Sequence, residues 1–100
     1  MIEFREAVKR IIEPIRNNFV FDSHYVIDQL IKYYSDEYIV FVSQYSNSQR
    51  PTLTAHQQIG QVINSCNDLV RRLDYQSWSE TIHCNGGECA LWQRIELMSL

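Results

Sequence analysis

The chain has 100 residues, 45% of them hydrophobic and 21% charged, with three Gly and two Pro, which excludes a disordered tail, a collagen-like repeat or a low-complexity linker. The net charge is −3, with six basic residues against seven acidic in the first half and three against five in the second. A nucleic-acid surface concentrates Lys and Arg, whereas here the basic residues are few and Arg71-Arg72 is a tight pair among them.

A single domain over 1–100 is the expectation, burying roughly two-thirds of its unfolded surface around one core without metal or disulfide staples. The start, Met1-Ile2-Glu3-Phe4-Arg5-Glu6, carries no basic segment followed by an apolar run, so no signal peptide is expected. Apolar runs stay far short of the ~20 residues that span a bilayer. The cysteines, Cys66, Cys84 and Cys89, are odd in number and do not make a secreted disulfide framework. A cytoplasmic protein with free thiols and no membrane association is expected.

Phe4, Ala7, Val8, Ile11, Ile12 and Ile15 recur at three and four residues and predict an amphipathic helix that Pro14 ends or kinks. Asn17-Asn18 reads as a loop. Asp22 or Ser23 can cap a second helix whose apolar side is Val26, Ile27, Leu30, Ile31 and Tyr34. Ser35-Asp36 offers a further cap, and Tyr38, Ile39, Phe41, Val42 and Tyr45 continue the helical spacing, so 23–45 is one bent helix or two. After the polar loop at 46–51, Thr54-Ala55-His56-Gln57 matches a capping box. Ile59, Val62, Ile63, Cys66, Leu69, Val70 and Leu73 then extend the predicted helix over 54–73, unbroken or in two pieces.

The tail changes period. Residues 79–84 and 88–95 flank Asn85-Gly86-Gly87, and Asn-Gly is the strongest short hairpin signal because both turn positions need positive φ. A two-residue turn puts Trp78, Ile82, Cys84, Cys89, Leu91 and Ile95 on one face, which reads as the core side. Ser79, Thr81, His83, Ala90, Trp92 and Arg94 fall on the other, which reads as half-polar. A hairpin alone is marginal in water, so it must pack on the helices, and its free edges invite a homodimer that extends the sheet. The predicted fold is therefore α+β: three to four helices followed by a C-terminal antiparallel hairpin packed on them.

Chemistry-bearing patterns are sparse. His83-Cys84 and Cys89 bracket the turn, but no second Cys or His pair completes a zinc site. The cysteines read better as small buried hydrophobes, and with a Gly86-Gly87 turn Cys84 and Cys89 fall opposite each other. There is no phosphate loop, nucleophile elbow or paired-carboxylate turn, so neither a cofactor nor catalysis is implied. His24 and His56, each in a predicted first helical turn, are the residues a small enzyme would use. They equally serve to tie helix starts to neighbouring loops.

Aligned on Thr54, the spacing of Gly60, Asn64, Val70 and Leu73 also fits a helix-turn-helix, with Arg71 and Arg72 on its second helix and the hairpin 79–95 as a wing. Asp68, Asp74 and the overall acidity count against it. Among the aromatics, Tyr33, Tyr75 and Trp92 lie off the strongest apolar stripes. Tyr, Trp and Arg anchor protein interfaces, which makes Thr81, His83, Trp92 and Arg94 a candidate interaction surface if the helices do not cover Trp92.

Three stretches, Phe21-Asp22-Ser23-His24-Tyr25-Val26-Ile27, His56 with Ile59-Gly60, and Ser77-Trp78-Ser79-Glu80-Thr81-Ile82 with Gly86 and Leu91-Trp92-Gln93-Arg94-Ile95, resemble small bacterial proteins carried on mobile integron gene cassettes and genomic islands. Those proteins favour Asn where Thr81 stands. The resemblance spans about residues 19–95 and implies a bacterial, cytoplasmic, oligomeric accessory protein; it transfers no active-site residue. The function expected from the sequence is a small non-enzymatic, self-associating protein-interaction module. The winged-helix nucleic-acid binder and a small enzyme using His24 and His56 are the alternatives.

Overall fold

The computed structural model describes residues 1–80 and 86–95, including the side chains of 1–73 and 90–95. Helix α1 (Phe4–Ile12) buries Ala7, Val8, Ile11 and Ile12, the stripe its spacing predicts. It stops short of Pro14, whose ring would clash with the preceding turn. A turn follows in which Asn18 takes a positive φ of 73°, a conformation Asn tolerates better than most residues. The turn leads into strand β1 (Val20–Asp22), which at three residues is too short to leave a periodic signal in the sequence.

Asp22 then caps helix α2 (Ser23–Tyr33), its carboxylate accepting from the Tyr25 N–H at 3.1 Å. Residues 23–45 are two helices: Tyr34, at φ −137° and ψ 45°, breaks the chain before α3 (Ser35–Ser43). No side chain caps α3; instead Asp36 and Glu37 in its first turn complement the helix dipole.

Helix α4 (Pro51–Ser65) departs from the expected 54–73 at both ends. Pro51 opens the helix rather than closing the loop before it, because its fixed φ and missing N–H suit the first helical position. Thr54 therefore lies inside the first turn, its N–H donating to Arg50 O at 2.9 Å and its hydroxyl bonded to that of Ser48 at 2.9 Å. The capping box is not used. At the other end Asn67 and Asp68 form a turn in which Cys66 O accepts from Leu69 and Val70 N–H at 2.9 and 3.1 Å. Val70 keeps the buried position a helix would have given it, but as the first residue of a strand.

That strand, β2 (Val70–Glu80), pairs antiparallel with β3 (Gly86–Arg94), which pairs in turn with β1, giving the order β1-β3-β2. The hairpin starts earlier than expected, and its last pair among the described residues is Glu80 with Gly86, so Gly86 and Gly87 belong to β3 and not to a turn. Cys89 lies opposite Ser77, so it does not face Cys84, which is outside the described residues. The register shifts between Arg72 and Gln76, where β2 carries extra residues against β3. The core joins α1, α2 and α4 to Phe21, Val70 and Trp92, while Phe4 and Phe41 stack beside it with ring centroids 3.9 Å apart.

Candidate interaction surfaces

The face expected to look outward is buried at Trp92 and Arg94, while Leu91, on the expected core face, is buried as well. Phe21, Trp92 and Arg72 are cross-strand partners in one row and share a face. Trp92 is 1% exposed, with its ring 6.2 Å from that of Phe21 and its indole N–H donating to Asn64 Oδ1 at 2.9 Å. A buried indole needs such a partner, and α4 supplies one one residue before its end. The tryptophan's large apolar area outweighs the polar neighbours that made this face look outward.

Arg94 lies on the same side and is 8% exposed. Its Nε–H donates to Ile12 O and its Nη2 to Glu13 O, both at 3.3 Å, and Nη1 donates to Ile95 O. The guanidinium thus caps the carbonyl end of α1, where the dipole favours a cation. Trp92 and Arg94 are therefore core and cap residues, which corrects their assignment to an exposed surface. Thr81 and His83 lie outside the described residues.

Arg71 and Arg72 are both exposed, but as consecutive strand residues they point to opposite sides of β2. Arg71 donates to Gln93 Oε1 at 2.6 Å, and the Arg72 guanidinium sits 5.7 Å from the Trp92 ring centroid. The helix that was to carry them into a groove is absent: Gly60 and Asn64 belong to one continuous α4, and residues 70–73 are strand. A recognition helix over 64–73 is thereby corrected, and the arginines do not form one basic patch.

His24 is half-buried in the first turn of α2, as expected. His56 falls beyond the first turn of the lengthened α4, and its Nε2 is 2.8 Å from the Tyr38 hydroxyl, joining α4 to α3. Burial pushes the Tyr38 phenol up from its ordinary value. Among the described residues no three His, Cys, Asp or Glu side chains gather as a metal site requires, and no helix is long and apolar enough to cross a membrane.

Two open surfaces stand out among the described residues. Helix α3 carries Tyr38, Ile39, Val40, Phe41 and Val42 in succession yet buries none of them, and Ile39 is 61% and Val40 47% exposed. An unbroken apolar run on a helix points outward on some side, and α4 and α1 cover only part of α3. That signal is in the sequence, in the lack of alternation over 38–42. The other surface is the outer edge of β2: the longest strand lies at a margin of the sheet, with no further strand beside it among the described residues. No family model matches the chain, and no curated protein or solved structure does.

Proposed function

We propose that this chain is a small, non-enzymatic protein-interaction module that self-associates, of the accessory bacterial kind its integron-cassette resemblance implies. The observation that carries this reading is the open edge of β2. An edge strand presents a row of backbone donors and acceptors, and a second copy is the partner that offers the same row in return. The bulge between Arg72 and Gln76 leaves 76–80 as the regular part of that edge, so pairing there joins two three-stranded sheets into one of six. β1 offers only three residues at the opposite margin.

Sedimentation equilibrium over a wide range of protein concentration tests this directly, with amide hydrogen exchange read in parallel. The expected result is a monomer–dimer equilibrium in which exchange at 76–80 slows as dimer forms. A chain that stays monomeric at the highest concentrations, with exchange at 76–80 independent of concentration, would remove the reading.

A further inference from the structure

We propose that the groove between residues 2–4 and α3 docks an amphipathic segment of a partner protein, one that presents an apolar anchor flanked by Lys or Arg. Ile2, Phe4, Val40 and Phe41 give the groove apolar walls, and Glu3 and Glu37 give it a charged rim. Its volume is about 210 Å³, below the roughly 300–1,000 Å³ of small-molecule and cofactor sites. That is room for a large side-chain anchor of the kind that dominates peptide and protein interfaces. The Phe4–Phe41 stack makes one wall, and the Ile2 N–H bonded to Glu37 Oε2 at 3.1 Å fixes the N-terminal segment against α3.

Charge selects the occupant. Glu3 and Glu37 line the groove with Met1, whose α-ammonium offsets one of the two carboxylates, and Asp36 adds another in the first turn of α3, while the cations of α1 are held elsewhere: Arg5 on Ser65, Lys9 on Asp68 and Arg10 on Glu6. A complementary partner is cationic. A second copy docking by the same face across a two-fold axis would bring these carboxylates against their own counterparts, which disfavours self-association here. Ile39, next to the groove-wall residue Val40, extends the apolar surface beyond the groove, as the seat of an amphipathic helix requires.

This inference rests on reading the chain as an interaction module, but not on the dimer. The test is fluorescence anisotropy of the full chain with a labelled amphipathic Leu/Lys peptide of about 14 residues, near physiological salt. A Leu/Glu peptide of the same pattern runs beside it. The Leu/Lys peptide is expected to bind and to shift amide resonances of residues 2–4 and 37–44, and the Leu/Glu peptide is expected not to bind. Val40→Glu should weaken binding by about tenfold, and Glu3→Gln with Glu37→Gln by about threefold. Gln at 37 keeps the acceptor for the Ile2 N–H, and circular dichroism confirms that each variant is folded.

Equal binding of both peptides, or a Leu/Lys affinity indifferent to Val40→Glu, would overturn the proposal. So would shifts at 2–4 and 37–44 driven by protein concentration alone, since a second copy would then occupy the groove. A monomer that binds the Leu/Lys peptide keeps the groove and loses the β2 dimer; a dimer that ignores the peptide does the reverse.

Discussion

Replacing Arg94 by Met separates a cap of α1 from a surface residue. Met keeps most of the stem's packing and removes the donors to the carbonyls of Ile12, Glu13 and Ile95. Hydrogen bonds from a charged donor contribute about 1.5–3 kcal/mol each, but the full sum is not lost. Ile12 O keeps the N–H of Ile15 at 2.9 Å, and Glu13 is exposed enough for water to reach its carbonyl. Losing the cation from the helix C-terminus adds about 0.3–1 kcal/mol. Relief from burying a guanidinium offsets part of the damage.

The net expectation for Arg94→Met is a loss of about 2–3 kcal/mol, or about 10–20 °C in Tm for a domain of this size. Arg94→Lys should recover less than half, because one ammonium cannot match the planar fork that spans separate carbonyls. Urea titration followed by circular dichroism measures this as a shift in midpoint at constant slope. An arginine free on the surface would change stability by no more than about 0.5 kcal/mol. A loss that small for Arg94→Met would refute the cap and restore Arg94 to the exposed face.

Asn64→Ala strands the indole N–H of a tryptophan that is 1% exposed and should cost about 1–2 kcal/mol; a double-mutant cycle with Trp92→Phe should show the two losses to be less than additive. Gly60→Ala should stabilise by about 0.5–1 kcal/mol in thermal melts, because a Cβ there meets the Trp92 ring at 3.9 Å, ordinary contact within a helix. For Asp68, desolvation pushes the carboxyl up, but hydrogen bonding from Lys9 and its own backbone and the charges of Lys9 and Arg5 outweigh it, so its pKa lies below the ordinary value. The folded state then binds the proton less readily than the unfolded one. Its contribution is present above the unfolded pKa and is lost as pH falls through the folded one, so Asp68→Asn should lower stability at neutral pH and flatten the acid limb below about pH 4. Desolvation raises the Cys66 thiol above its ordinary value, outweighing the net effect of its charged and polar neighbours. Iodoacetamide at mildly alkaline pH should therefore label Cys66 only after unfolding, as peptide mass mapping would show.

The helical half of the fold was legible because its signals are local. The stripe from Phe4 to Ile12, the Asp22 cap and the apolar period of α4 each lie within a few turns of one another. The end of α4 was not legible, because Cys66 and Val70 are buried whether the chain between them is helix or turn. β1 was hidden for another reason: its three residues are fixed by pairing with β3, whose partners lie some seventy positions away. Leu91 is buried as its position on the expected core face implies, but the burial of Trp92 and Arg94 is not legible from residue polarity alone. Asn64 and the carbonyls that satisfy Trp92 and Arg94 are distant in sequence, so both residues looked too polar to bury.

The burial of Trp92 and Arg94 bears on where function can lie. Aromatic and arginine residues mark an interface only when they remain available, and here Trp92, Phe21 and Arg94 are held inside while Arg72 lies against the Trp92 ring. Among the surfaces left free are the Ile39–Val40 surface, the carboxylates of Glu3 and Asp36 beside it, and the backbone of the β2 edge. These surfaces differ in what they recognise. A backbone edge accepts any strand of suitable register and fits association with an identical chain. An apolar groove with an acidic rim discriminates by shape and charge, so it suits a foreign partner. A protein of this size can carry both, because α3 packs Tyr38 and Phe41 against the core and leaves Ile39 and Val40 exposed to form the second surface.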